Sequence, residues 1–133
     1  MPNFPSPEWA RSFQEAVGRS PEYAEAARAW EGDVLLRVVP SEPSAPMEAV
    51  HLDLVHGECR AATFVSDARD TPSEFVFDAT REVWSRILCG ELDPVKAVLA
   101  REVRVRGNLA KVMRFTRATG LLIGLASTIP SDP

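Results

Sequence analysis

The side chains best suited to metal or covalent chemistry are two histidines and two cysteines, His51, His56, Cys59 and Cys89. Imidazole and thiolate ligate zinc, and either serves in acid–base or nucleophilic catalysis. Their spacing argues against convergence. Residues five apart in one strand point to opposite faces, so His51 and His56 diverge, and His51 shares an outer face with Asp53. A solvent-facing strand histidine is expected there, with no metal. Cys89 has no His or Lys close in sequence and ends a helix, where the dipole disfavours thiolate. Cys59 and Cys89 are expected to be buried, inert thiols. Among 19 Asp and Glu residues no spacing selects an acid–base pair. Gly120-x-x-x-Gly124 lacks the Lys-Ser/Thr of a phosphate loop. No catalytic constellation is found, and no cofactor is expected.

The elements around these residues are legible from their punctuation. Ser6-Pro7-Glu8 and Ser20-Pro21-Glu22 each place an N-cap oxygen, a proline at the first helical position and an acid in the first turn. Trp9, Phe13 and Val17 follow the first at helical spacing, closed by Gly18. Tyr23, Ala26, Ala27 and Trp30 follow the second, closed by Gly32. From Asp33 the period drops to two: Val34, Leu36 and Val38 share a face, and Pro40 stops the strand. Val50, Leu52 and Leu54 alternate likewise, His56-Gly57-Glu58 is a hairpin turn into Cys59–Ser66, and Phe75 and Phe77 mark a fourth strand. Four successive strands predict an antiparallel meander. Helices return with Val83, Trp84, Ile87 and Leu88 up to Gly90, and with Asp93-Pro94 before Val95, Val98 and Leu99. Glu102–Arg106 alternates as a fifth strand, Gly107-Asn108 turns, and Leu109, Val112, Met113 and Thr116 begin a last helix.

The chain of 133 residues is one domain's worth. The predicted units are N-terminal helices over 1–32, a four-stranded meander over 33–78, two helices over 79–101, a fifth strand over 102–107 and a helix over 108–126. The order ααββββααβα implies an α+β fold with a mostly antiparallel five-stranded sheet. At 45% hydrophobic, 26% charged and net charge −4, the composition is globular and unlike that of a nucleic-acid binder. The start of the chain lacks a signal-peptide pattern, and the weakly polar run from Ala118 to Ile129 is too short to span a bilayer. A cytoplasmic protein with reduced thiols is the expectation.

Charge is unevenly placed. Residues 1–93 carry 17 acidic and 8 basic side chains, whereas residues 94–120 carry 1 acidic and 7 basic. Lys111, Arg114 and Arg117 form a helical stripe opposite Leu109, Val112 and Met113, and Arg104 and Arg106 alternate with Val103 and Val105. These five cations are either an ordinary solvated face complementing the acidic half or a surface that meets anionic lipid headgroups.

The stretch Trp84-Ser-Arg-Ile-Leu-Cys-Gly-Glu-Leu-Asp-Pro94, then Val95-Lys-Ala-Val-Leu99, then Val103-Arg-Val-Arg-Gly-Asn108-Leu resembles the sterol carrier protein 2 (SCP-2) family. That family shows a helix ending in "G-x-L-D-P" and a strand reading like "L-K-I-K-G-N". Gly90, Leu92, Asp93, Pro94, Gly107 and Asn108 are the matching positions. Ala100-Arg101-Glu102 departs from the glycine often found before that strand. The resemblance implies an open sheet with helices over one face, an apolar cavity between the layers, and binding of acyl chains, sterols or other lipids without chemical change.

The residues offer walls for such a cavity: Phe64, Phe75, Phe77, Val103 and Val105 on alternating strand positions, with Trp84, Leu88, Leu109, Val112 and Met113 on helix stripes. Each is either cavity wall or plain core. Ten buried methylenes contribute up to about 8 kcal/mol before ordering costs. Carriage of an apolar ligand is therefore the leading expectation, by a monomer or weak dimer with transient contact to anionic membranes. Two alternatives stay open: an accessory enzyme of lipid, quinone or polyketide metabolism using the same cavity, and a dimerisation module using the apolar face.

Overall fold

In a computed structural model, residues 3–129 are described; Met1, Pro2 and the final residues 130–133 lie outside. Two helices open the chain, α1 (Pro7–Gly18) and α2 (Pro21–Ala26). Their caps follow the sequence: Ser6 Oγ accepts from the Trp9 N–H and Ser20 Oγ from that of Tyr23, with proline at the first helical position in both. α2 stops sooner than the Tyr23–Trp30 stripe suggests. Gly32 lies inside strand β1 (Glu31–Val39) rather than closing the helix.

Strands β2 (Ala49–Val55) and β3 (Glu58–Val65) form the expected hairpin. His56 (φ 51°) and Gly57 (φ 83°) supply its left-handed turn. Strand β4 (Phe75–Thr80) corrects the meander: the sheet order is β3-β2-β1-β4-β5, and β4 lies parallel to β1 instead of pairing with β3. The segment after β3 makes this possible by crossing the outer face of the sheet. Ala68 is buried there beside Leu35, Ala49 and Val76, and its carbonyl accepts from Arg37 Nη1 at 3.3 Å. The other three pairings are antiparallel. The fold is α+β, with a mostly antiparallel five-stranded sheet and helices over one face.

The C-terminal half contains α3 (Arg81–Leu88), α4 (Pro94–Leu99), β5 (Arg104–Arg106), α5 (Leu109–Arg114) and α6 (Thr116–Ser127). The strand predicted over 102–107 is thus three residues long, and β4 runs two residues past the expected end at 78. The single helix predicted over 108–126 is two helices. Phe115 breaks it at φ −113°, ψ 39°, its ring edge-on to Trp30 at 5.2 Å.

The motif residues of this half are architectural. Gly90 takes φ 84° just after α3. Asp93 Oδ1 accepts from the Val95 N–H, and Asn108 Oδ1 from that of Lys111, capping α4 and α5. Gly107 combines φ 127° with tight space: an added Cβ would sit 2.6 Å from Phe75 Cδ1 and 2.8 Å from the Glu74 carbonyl oxygen. Gly107→Ala is expected to cost about 1–3 kcal/mol, measured by urea unfolding. An unchanged midpoint would contradict that reading.

The main core lies between the sheet and the helices. On its side of the sheet, Val34, Leu52 and Phe75 share a buried transverse row. Trp9 stacks on Phe13 at 5.3 Å beneath α1. Gln14 Nε2 donates to the Cys59 and Arg60 carbonyls, tying α1 to β3 near the register shift at Asp53/Leu54. The opposite face carries Arg37, whose Nε and Nη2 each donate to one oxygen of Asp78 at 2.6 Å. β1 and β4 place those two residues directly opposite each other.

Candidate functional site: an accessible apolar layer

A second transverse row crosses all five strands, in the order Phe64, Val50, Leu36, Phe77 and Val105. Its members share one face of the sheet because paired residues point the same way. Their fates differ with what lies above them. Val50 is fully buried, whereas Leu36, Phe77 and Val105 pack against the core yet stay partly accessible. The helices over that end are partly open as well. Leu88 of α3, Val98 of α4, Val112 of α5, and Leu121, Leu122 and Leu125 of α6 all touch the core without being sealed. Partly accessible apolar side chains of β1, β4 and β5 and of α3–α6 thus pack against one core cluster, an apolar layer that solvent still reaches. Apolar walls exposed in this way gain free energy when an apolar ligand removes them from water.

The sequence-predicted wall residues divide on this view. Phe77, Leu88, Val105 and Val112 belong to the accessible layer. Phe75, Trp84 and Val103 are buried in the core, and Trp84 is also fixed by its indole N–H donating to the Arg37 carbonyl at 2.9 Å. Val103 precedes the short β5 rather than lying in it. Phe64 is at the far end of the row, in a shallow surface hollow with Pro7, Arg11 and Gln14. Leu109 (50% exposed) and Met113 (67%) are corrections, because they stand in solvent outside the layer. In the six-residue α5 only one side can face inward, and Val112 takes it. Leu36, Val98, Leu121, Leu122 and Leu125 join the layer although sequence reasoning misses them as walls. The signal for the last three is the weakly polar run after Ala118.

The five predicted basic residues also divide. Arg114 and Arg117 are exposed, as are Arg104 and Arg106 on the edge strand, where Arg106 comes within 3.9 Å of Asp78. Lys111 is instead tied down. Its Nζ contacts the Glu31 carbonyl, reaches Glu74 Oε2 at 2.9 Å and sits 5.1 Å from the centre of the Trp30 ring. Cation–π attraction and an ion pair together account for a lysine turned inward from a basic stripe.

A polar groove of about 470 Å³ includes Glu31, Asp33, His51, Asp53, Glu74 and Lys111 in its lining. Within it His51 Nε2 lies 2.7 Å from Asp33 Oδ2, and Asp33 Oδ1 accepts the Glu74 N–H at 2.9 Å. Burial pushes the Asp33 carboxyl up, but these hydrogen bonds outweigh it and hold the group below its usual value. Its stabilising effect is therefore present above the unfolded carboxylate's pKa and is lost as pH falls through the lowered folded one. His51 is half-buried on the outer face, joining β2 to β1. Among the described residues no group of three His, Cys, Asp or Glu side chains converges as a metal site.

The cysteines differ from each other. Cys59 is partly buried, and burial, with the Asp53 charge adding to it, pushes its thiol up to about 11. Cys89 is exposed after α3, correcting its expected burial. Such a pKa leaves Cys59 with about a hundredfold less thiolate than an ordinary cysteine. Iodoacetamide is expected to give a single rapid adduct, at Cys89, with the second appearing only on unfolding. Equal rates at both sites in a peptide map would contradict this.

Among the described residues no helix is long and apolar enough to cross a membrane. No curated protein sequence matches the chain. A crystal structure of sterol carrier protein 2 is similar at 30% identity and TM-score 0.86, over 94% of this chain and 98% of that one. A conserved hypothetical protein of Thermus thermophilus is similar at 31% identity and TM-score 0.83, over 96% and 90% respectively. A sterol carrier protein from Aedes aegypti shares the fold at 16% identity and TM-score 0.54, over 90% and 93%. The family model described as "SCP-2 sterol transfer family" matches residues 13–119. With that match over most of its length, the chain belongs to the SCP-2 sterol transfer family.

Proposed function

We propose that this protein binds a single apolar ligand of the fatty acyl or sterol-like class, without altering it, in the layer between Phe77 and Val105 on the sheet and Leu88, Val112 and Leu121 on the helices. The supporting observation is that these side chains, from sheet and helices alike, pack against the core yet stay partly exposed. Family membership supports the lipid class, and the Aedes aegypti protein of the same fold is in complex with the C16 fatty acid palmitate. Desolvation drives binding, and each methylene removed from water contributes about 0.8 kcal/mol. The walls select by length and shape. A reaction chamber would require an ionisable group among these walls, and each side chain named here is apolar.

A fluorescent acyl probe titrated into the protein tests this. Saturable one-to-one binding, reversed by competing palmitate, is the expected result. Probe uptake that never saturates, or that palmitate leaves unchanged, would overturn the proposal.

A further inference from the structure

Four large apolar side chains stand exposed among the described residues, and all lie on two short helices: Val95 (61%) and Leu99 (78%) on α4, Leu109 (50%) and Met113 (67%) on α5. Each pair is spaced i, i+4, so each helix carries an apolar stripe toward solvent. The same stretch is the basic part of an otherwise acidic chain, with 7 basic residues against 1 acidic over 94–120. Lys96, Arg101, Arg114 and Arg117 are exposed there, while Lys111 is engaged with Glu74. Exposed aliphatic side chains beside exposed cations match the two zones of a bilayer interface, acyl chains below and anionic headgroups above.

We propose that α4 and α5 are the membrane-docking edge of this protein. Val95, Leu99, Leu109 and Met113 enter the interfacial zone of an anionic bilayer, and Lys96, Arg101, Arg114 and Arg117 lie among its headgroup phosphates. Charge complementarity selects this occupant. Continuity with the apolar layer gives it a purpose, a part that rests on the proposed ligand binding. Val98 and Val112, on the inner sides of these same helices, pack against the core. Each of the two helices thus offers one side to the bilayer and the other to the core.

The test is co-sedimentation with phosphatidylcholine vesicles, with and without phosphatidylglycerol, for the wild type, Leu99→Ser/Met113→Ser and Arg114→Glu/Arg117→Glu. All four substituted side chains are exposed, and circular dichroism checks the fold. The wild type is expected to prefer vesicles containing phosphatidylglycerol and to release as salt rises. Each double variant is expected to lose at least about tenfold in vesicle affinity while keeping its affinity for the soluble acyl probe. Equal binding to both vesicle types, or variants that bind like the wild type, would overturn the proposal. So would loss of probe binding along with vesicle binding, since the residues would then belong to the ligand layer. Dissociation of a solution dimer by the same variants would assign the edge to a second copy and overturn it as well. If the wild type takes up no probe yet docks with these variant effects, docking stands and the ligand-binding reading fails.

Discussion

Arg37→Ala is expected to lower the stability of the fold by about 3–5 kcal/mol, the cost of leaving one member of a buried ion pair unpartnered. Arg37 is 7% exposed, and its bidentate fork on Asp78 holds both carboxylate oxygens at 2.6 Å. Its third contact, to the Ala68 carbonyl, anchors the segment that carries the chain across the outer face from β3 to β4. The truncation therefore strands a carboxylate between two strands and loosens the crossover at once. Arg106, 3.9 Å from Asp78 and well exposed, replaces little of the lost pairing. Arg37→Met/Asp78→Leu, which removes both charges and keeps apolar volume, is expected to recover most of the loss. Urea unfolding of the three proteins measures this. A single variant within about 1 kcal/mol of wild type would show that the pair holds nothing together.

The second large effect separates core from site. Phe75 and Phe77 are two residues apart on β4 and face the same layer, but Phe75 is fully buried under Trp30 at 5.3 Å, while Phe77 remains partly accessible. Phe75→Ala is expected to cost about 3–5 kcal/mol in stability. Phe77→Ala should cost distinctly less. Its main effect falls on acyl-probe affinity, which should drop by about 10- to 100-fold, the loss of one aromatic wall. Paired unfolding and binding curves decide it. Equal stability losses with unchanged affinity for Phe77→Ala would place that residue in the core and move the site elsewhere.

Sequence signals are legible where the physics is local. Ser6, Ser20 and Asp93 cap helices because a short polar side chain before a helix has one dominant use. Gly57 makes the hairpin turn for a similarly local reason. The path of β4 is hidden, since alternation along Phe75 and Phe77 says which face is apolar but not which strand lies alongside. The choice is visible in the fold, where β4 pairs parallel with β1 and Ala68 of the crossover is buried against the outer face and bonded to Arg37. The site is half legible. Phe64 and Phe77 have the same strand pattern and share one row, but α1 packs near one and leaves the other open. On α5, Leu109, Val112 and Met113 all read as the buried side, whereas only Val112 packs inward and Lys111 bends back over Trp30. Six-residue helices carry too few positions for periodicity to choose between their faces.

Native mass spectrometry of the purified protein before and after organic extraction shows whether the apolar layer holds one lipid molecule. A monomer carrying the mass of a single lipid, lost on extraction and restored by adding palmitate, is the predicted result. A ligand-free protein that gains no mass with palmitate, or a dimer whose apolar layer is closed by its partner, would contradict it.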